Sequence, residues 1–284
     1  MPQPNAEQTE YWNVLSGPKW VEFADMIDSQ IAPIGLRAID AAGAREGERV
    51  LDVGCGCGQT SIELGRRVGS EGEVLGVDLS GPMLEDARRR ATEAGHGHVR
   101  FERDDAQVRA FETGAFDLAF SRFGVMFFED SVAAFSNIRG AMASGGRLTF
   151  VCWQEIGRNP WMVVPAMSAA KHVELPPRPS EGGPGPFAFA DEQYVADLLE
   201  QAGWESVQHE SIEIDLGIGE GRDLEETVSF LLQMGPAGAA LRQASDEIRE
   251  AARETALADL APFFVDDALR MSSAAWLFTA RTGG

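Results

Sequence analysis

The stretch Arg49-Val50-Leu51-Asp52-Val53-Gly54-Cys55-Gly56-Cys57-Gly58-Gln59-Thr60 decides the fold. It opens with a short apolar run, which is typical of a buried strand. Three glycines spaced two apart follow, and a mixed apolar pattern resumes after Thr60, which favours a helix. Because glycine has no Cβ, a glycine turn between a strand and a helix lets the backbone approach a ligand closely. The dinucleotide fingerprint G-x-G-x-x-G would need its third glycine at position 59, where Gln59 stands.

A second strand, Glu73-Val74-Leu75-Gly76-Val77-Asp78, ends on an acid twenty residues after Gly58. Ser80 suits the N-cap of the next helix, and Pro82 suits its first turn. An acid at the end of the second strand can accept hydrogen bonds from both hydroxyls of a ribose. Asp78 therefore indicates an adenosine-containing ligand. It does not distinguish a nicotinamide cofactor from other cofactors that contain adenosine.

Strand and helix patterns alternate along residues 49–152, which predicts parallel strands joined by right-handed crossovers. Ligands of such sheets bind outside the carboxyl ends of the strands. The predicted elements cover about 49–53, 59–68, 73–78, 81–94, 98–103, 115–121, 131–143 and 146–152, with Gly145-Gly146 as the C-cap of the last helix.

The composition narrows the possible functions. The 284 residues include 24 basic and 45 acidic side chains, so the formal charge is −21, which disfavours nucleic acid and anionic membranes as partners. Three cysteines, two of them in the glycine turn, argue against a disulfide framework and favour the cytosol. The first residues resemble no signal peptide, and no apolar run reaches the length of a membrane span.

These motifs together resemble those of the class I S-adenosylmethionine-dependent methyltransferases. The glycine turn resembles their motif D-x-G-x-G-x-G, and Phe101-Glu102-Arg103-Asp104-Asp105-Ala106 resembles the acid-Ala step after the third strand. Residues 116–128 resemble motif IV, and residues 138–148 resemble the L-x-P-G-G motif with Ser144 in place of proline. The segment 11–20 resembles the amino-terminal arm of the ubiquinone-biosynthesis type, which acts on small molecules.

The resemblance implies an α/β fold with a Rossmann-like, seven-stranded, mostly parallel sheet, an antiparallel last strand, and helical lid and cap insertions. It also implies S-adenosylmethionine as the cofactor, S-adenosylhomocysteine as the product, and no metal; Cys55-x-Cys57 and four scattered histidines form no metal-ligand pattern. The cofactor-binding residues that it implies are Tyr11, Trp12, Asp52, Gly54, Gly56, Gly58, Asp78, Leu79, Asp105, Ala106 and Ser121.

Four segments are expected. Residues 1–46 form a helical arm, read as two helices broken at Gly17-Pro18, which either covers the cofactor or packs on the sheet. Residues 47–153 form the cofactor-binding core, and residues 154–190 form a lid loop rich in proline and glycine, with at most one helix near 160–172. Residues 191–284 complete the core and carry a helical cap insertion at 222–262, with two helices broken at Gly235-Pro236. These cap helices line a substrate pocket or form a dimer interface.

The substrate site is expected beside the end of the fourth strand. Two residues are candidates for catalysis: His172 as a general base, unless it is structural, and Arg122, which either binds a substrate carboxylate or pairs with a neighbouring acid. The residues expected to form an adaptable apolar pocket with one polar group are Phe123, Met126, Phe127, Trp153, Trp161 and His172.

The sequence thus predicts methyl transfer to an oxygen, nitrogen or carbon atom of a small apolar or aromatic metabolite, by a cytoplasmic monomer or homodimer. Methyl transfer is an in-line displacement that depends on alignment and exclusion of water and needs no nucleophilic residue. Two alternatives stay open. One is a cofactor-binding protein of the same fold that transfers no methyl group, such as a cyclase or a regulatory subunit. The other is a nicotinamide oxidoreductase, which Gln59 disfavours.

Overall fold

A mixed eight-stranded sheet forms the centre of the structure, a computed structural model that describes residues 4–177 and 183–283. The order of the strands is β3-β2-β1-β4-β5-β8-β6, and the short β7 pairs with β8. The strands are β1 Arg49–Val53, β2 Glu73–Asp78, β3 Val99–Arg103, β4 Phe116–Arg122, β5 Met142–Trp153, β6 Glu205–Ile218, β7 Phe264–Val265 and β8 Ala268–Arg281.

The first five strands pair in parallel, whereas β8 lies antiparallel between β5 and β6. The predicted Rossmann-like sheet with an antiparallel last strand is therefore confirmed. The prediction of seven strands missed β7, because two residues show no periodicity that a sequence pattern could reveal.

Eleven α-helices surround the sheet in the described part of the chain, with one π-helical turn at Tyr11–Leu15. No helix among residues 4–177 and 183–283 combines the length and the apolar character that crossing a membrane requires. The helices are α1 Ala6–Glu10, α2 Gly17–Glu22, α3 Ala24–Ala42, α4 Gln59–Val68, α5 Gly81–Glu93, α6 Ser131–Gly140, α7 Pro160–Ala170, α8 Glu192–Gln201, α9 Leu224–Leu231, α10 Gly235–Leu241 and α11 Asp246–Leu260.

Two helix boundaries differ from the prediction. The arm contains α1, the π-helical turn, α2 and α3 instead of two helices, and Gly17 begins α2 because proline is favoured in a first helical turn. Helix α6 ends at Gly140, and β5 begins at Met142, so Gly145-Gly146 lies inside the strand and caps no helix. The pairing register between β4 and β5 shifts near the start of β5. A strand can accommodate two consecutive glycines at such an irregularity.

The predicted cap contains three helices, α9 to α11, instead of two. Helix α10 does begin at Gly235, but Ser245 caps a further helix through its hydroxyl, which accepts a hydrogen bond from the N–H of Ile248. Helix α7 packs against α10 and α11, so the cap helices lie against the segment that follows β5. Residues 178–182 of the predicted lid loop lie outside the described residues.

The ends of β1 and β4 meet through two glycines. Gly54 has a φ of +67°, and a Cβ on it would lie 2.7 Å from the Cα of Gly124. A Cβ on Gly124 would lie 2.7 Å from the carbonyl oxygen of Val53 and 2.8 Å from the Cα of Gly54. All of these neighbours are backbone atoms, so no side chain can move aside to relieve the contact.

Gly124→Ala is therefore expected to destabilise the fold by about 1–3 kcal/mol, the usual cost of overpacking a filled site. Urea denaturation measures the change. Gly140→Ala serves as the control, because nothing lies within 4 Å of the Cβ it would add. Equal midpoints for the two variants would contradict the proposed constraint.

Candidate functional site

A cavity lies over the carboxyl ends of the parallel strands, at the place where such sheets bind ligands. Its wall includes the glycine turn, the acids that follow β2 and β3, the arm, α3, and parts of α7, α9 and α10. Of the predicted cofactor-binding residues, the wall contains Tyr11, Trp12, Gly54, Gly56, Asp78, Leu79, Asp105 and Ala106.

The carboxylate of Asp78 joins the glycine turn to the second strand. Its Oδ2 accepts a hydrogen bond from the N–H of Gly56, and its Oδ1 accepts one from the N–H of Ser80, both at 2.8 Å. Burial raises the pKa of Asp78, although these N–H donors favour the ionised form. An ionised carboxylate has about four acceptor positions, so Asp78 retains acceptor capacity toward the cavity.

Three predicted cofactor-binding residues lie behind the cavity wall and not on it: Asp52, Gly58 and Ser121. Gly58 is a packing glycine, because a Cβ there would lie 2.9 Å from both Ala87 and Phe101. The Ser121 hydroxyl accepts a hydrogen bond from the N–H of Gly124 at 3.2 Å. These residues thus support the wall from beneath, and their role in binding the cofactor stays a prediction.

Asp52 is fully buried beneath the glycine turn. Its Oδ2 accepts hydrogen bonds from the hydroxyls of Thr60 at 2.7 Å and Ser61 at 2.6 Å, whereas its Oδ1 has no partner among the described residues. Burial raises the pKa of Asp52 to about 6, against the effect of the two hydroxyls. The side chain is thus a buried carboxyl group with one oxygen unpartnered among the described residues.

The arm is attached to the site at two places. Near its start, the Asn5 side chain donates to Asp105 Oδ2 at 2.8 Å and to Gln107 Oε1 at 3.1 Å. Asn5 also exchanges two hydrogen bonds of 2.8 Å with Glu129, which follows motif IV. Further along, the Asn13 amide donates to the carbonyl of Leu79 at 2.9 Å. The arm is therefore held directly against Leu79 and Asp105, two of the predicted cofactor-binding residues.

Aromatic rings from the arm continue the wall. The Trp12 ring makes edge contacts with the rings of Tyr11, Trp20 and Phe127, at centroid distances of 5.2, 5.8 and 5.1 Å. The Ser80 hydroxyl donates to the carbonyl of Trp12 at 2.8 Å, so the N-cap residue of α5 also holds the arm.

The remaining part of the wall is apolar. Phe123 has a φ of +61°, a strained conformation for a bulky residue. Its ring stacks on Trp153 at 3.9 Å with planes 9° apart, and Trp161 lies 5.3 Å from Trp153. The cavity residues here are Phe123, Met126, Phe127, Trp153, Trp161, Met162, Pro165, Phe230, Leu231 and Met234, which include every predicted substrate residue except His172.

His172 is not at the cavity. It is exposed in the turn after α7, and its Nε2 lies 2.7 Å from the hydroxyl of Thr255 on α11. This geometry does not support His172 as a general base or substrate ligand, and both roles stay predictions. Helix α7 ends at Ala170, and the following turn faces the cap helix instead of the sheet.

Arg122 lines the cavity but is paired with a neighbouring acid. Its Nη2 lies 3.0 Å from Asp28 Oδ1, and both side chains are about nine-tenths buried. Its Nη1 also donates to Gln59 Oε1. Of the two alternatives for Arg122, the structure contains the ion pair with the neighbouring acid.

The sequence analysis missed several polar cavity residues, among them Asn5, Asp28 and Gln30. Asp28 and Gln30 belong to α3, whose apolar stripe contains Ile27, Ile31 and Ile34. Polar residues beside or within that stripe were the signal that could have identified them.

No metal centre is found where the structure describes the chain, since no group of three or more potential ligands comes together there. Cys55 and Cys57 are free and buried. Burial raises the pKa of Cys57 to about 12 and that of Cys55 well above its ordinary value, so both remain thiols at neutral pH.

Known proteins resemble this chain mainly in its central part. Residues 50–146 match the family described as "Methyltransferase domain". Aklanonic acid methyltransferase DauC of Streptomyces sp. (strain C5) is 37% identical over 42% of this chain and 54% of its own length. The ubiquinone/menaquinone biosynthesis C-methyltransferase UbiE of Idiomarina loihiensis is 34% identical over 39% of this chain and 44% of its own. The nocamycin O-methyltransferase of Saccharothrix syringae is 29% identical over 64% of this chain and 69% of its own.

These alignments with DauC and UbiE span about half the length of the curated relatives. Solved structures match more of the fold. A putative methyltransferase from Bacillus halodurans has a TM-score of 0.56 at 16% identity, and the match covers 88% of this chain and 99% of that chain. The [4+2]-cyclase SpnF has a TM-score of 0.53 at 21% identity, with 88% and 81% covered.

A phosphoethanolamine N-methyltransferase from Haemonchus contortus, solved with S-adenosyl-L-methionine, has a TM-score of 0.55 at 19% identity, with 89% and 53% covered. The matched residues 50–146 include the glycine turn, Asp78 and Asp105. The central part of the chain thus matches a methyltransferase domain, and the fold is similar to that of solved methyltransferases.

Proposed function

We propose that this protein transfers the methyl group of S-adenosylmethionine to a small apolar or aromatic metabolite. The observation that carries the proposal is that one cavity has a polar part and an apolar part. Asp78 and Asp105 lie in its wall, and so do the stacked rings of Phe123 and Trp153. Acceptors for an adenosine and an apolar surface for a second molecule therefore border the same space.

The residues around the glycine turn fit this cofactor, which supplies an electrophilic methyl group on a sulfonium ion when bound. Asp78 would hold the ribose hydroxyls, and Asp105 would accept from the adenine amine. Asp52 adds a buried carboxylate with one unpartnered oxygen, which favours a cationic ligand nearby. The face of the Trp12 ring is a further surface that suits a cation.

Catalysis is proposed to rest on positioning and exclusion of water. Among the cavity residues of the described chain there is no histidine and no lysine, and Arg122 is committed to Asp28. The arm, α7 and the cap helices α9 and α10 border the space and would keep water from the reacting atoms. Alignment of acceptor and methyl group can supply a large share of the rate on its own.

The relatives support a small-molecule acceptor. Their names specify aklanonic acid, nocamycin and a quinone pathway. They include both an O- and a C-methyltransferase, so they do not select one acceptor atom among oxygen, nitrogen and carbon. The fold shared with the cyclase SpnF keeps cofactor binding without methyl transfer as the second candidate. Release of S-adenosylhomocysteine in the presence of an acceptor distinguishes the two.

We also propose the segment roles: residues 1–46 as a lid, 47–153 as the cofactor-binding core, 154–190 as a loop over the substrate, and the helices within 222–262 as its cap. Cap helices α10 and α11 pack on α7, and residues of α7, α9 and α10 line the cavity, which favours the pocket over the dimer interface.

Three buried free thiols suit a reducing cytosol. The state of the protein as monomer or homodimer stays a prediction.

Asp78→Ala is expected to weaken S-adenosylmethionine binding by about 1–3 kcal/mol, the scale of losing hydrogen bonds to a charged group. Isothermal titration calorimetry measures the affinity, and a thermal melt verifies that the variant folds. Glu71→Ala, an exposed acid in the turn before β2, is the control and should bind like the wild type. A folded Asp78→Ala protein with unchanged affinity would refute this assignment.

Asn5→Gly is expected to speed release of bound S-adenosylhomocysteine about fivefold or more, since each buried hydrogen bond contributes about 1 kcal/mol. Glycine tolerates the left-handed φ of 53° at this position, so the variant removes only the side-chain bonds. Stopped-flow displacement gives the rate, and Glu7→Ala, an exposed residue of α1, is the control. Wild-type release rates in Asn5→Gly would end the lid proposal.

A further inference from the structure

A polar side chain interrupts the apolar stripe of α3. Ile27, Ile31 and Ile34 of this stripe are buried with at most 6% of their surface exposed, as helical periodicity requires. Gln30 occupies the same face, is 2% exposed, and lines the cavity. An amide at this position has no role in packing the helix against the sheet, because an aliphatic side chain would fill the space equally well.

The Gln30 amide is also without a protein partner. Its side chain makes no hydrogen bond within residues 4–177 and 183–283, although an amide offers two donor hydrogens and an acceptor oxygen. Gln154, which is 1% exposed, shows the ordinary situation: its Nε2 donates to Ser211 and to the carbonyl of Ala275. Because Gln30 borders the cavity, a partner from outside the chain can reach its amide.

The charged groups of the cavity already have partners or proposed roles. Asp78 and Asp105 are the acids proposed for the adenosine, and Arg122 and Asp28 neutralise each other. Gln30 differs from them in having no charge and no bond. Helix α3 packs against β5, the strand that ends in Trp153, so Gln30 belongs to an element that borders the aromatic part of the wall.

We propose that Gln30 determines acceptor specificity by hydrogen bonding to a hydroxyl or carbonyl group on an apolar ring compound. The inference rests on the proposed function for the identity of the second ligand. The rings of Phe123, Trp153 and Trp161 bind the flat apolar body, and the Gln30 amide fixes which edge of that body turns toward the methyl group. An amide suits both groups, because it donates to a carbonyl and accepts from a hydroxyl.

The test compares two ring probes that differ in one polar group. Equilibrium dialysis measures the dissociation constants of 1-naphthol and naphthalene for the full-length protein saturated with S-adenosylhomocysteine. Gln30→Met keeps the length and volume of the side chain and removes its hydrogen bonds. The preference for 1-naphthol over naphthalene is expected to fall about three- to tenfold in this variant, the size of one net hydrogen bond. Gln201→Met, an exposed glutamine that ends α8, is the control and should keep the wild-type preference.

Three results would overturn the proposal: the same preference in Gln30→Met as in the wild type, no binding of either probe by the wild type, or a loss of S-adenosylhomocysteine affinity in Gln30→Met without a change in preference. The last result would assign Gln30 to the cofactor. Failure of the proposed function is recognised separately, because it would appear as wild-type protein that does not bind S-adenosylhomocysteine in calorimetry. The probe preference would then be measured without cofactor.

Discussion

The contact between the backbones of Gly54 and Gly124 is the constraint on which the site depends. It brings the turn after β1 against the turn after β4, and a side chain on either residue would force them apart. The adjacent Phe123 adopts a left-handed conformation, and its ring stacks on Trp153 at the end of β5. The two halves of the cavity therefore share one rigid floor, in which strand ends and not flexible loops set the distances.

Around this floor, segments outside the repeating strand-helix framework form the walls. The arm contributes hydrogen bonds from Asn5 and Asn13 and the ring of Trp12, whereas α7 and the cap contribute apolar side chains. Charges in this region neutralise one another where they are buried, as Asp28 does with Arg122 and Arg90. A buried pair of this kind is costly to break because the remaining charge would lose its partner.

The sheet and the glycine turn could be predicted from the sequence because their signals are local. Apolar periodicity marks the strands, and glycine spacing with Asp78 marks the turn. Side-chain partners are distant in sequence. Arg122 pairs with Asp28 across 94 residues, and Asn5 forms a hydrogen bond with Asp105 across 100 residues. The position of His172 in the chain suggested a place in the pocket. In the structure the turn after α7 brings its side chain to Thr255 on α11 instead.

The same limit explains the residues that lie behind the wall. A motif identifies Asp52, Gly58 and Ser121 as part of the site, and only the packed structure shows that they support the wall from inside. Gln30 presented the opposite case. Its place in an apolar stripe was visible in the sequence, but its lack of a partner depends on every element that surrounds it.

The position of β8 has a consequence for how the chain folds. This strand pairs with β5 on one side over seven residues and with β6 on the other, although it follows both in sequence by many residues. Until it is synthesised, β5 exposes a pairing edge and β6 has no partner in the sheet. Such edges attract other unfinished chains, and long-range pairing is slow. The half of the sheet that supports Trp153 is therefore completed last, and aggregation during synthesis should be sensitive to changes in β8.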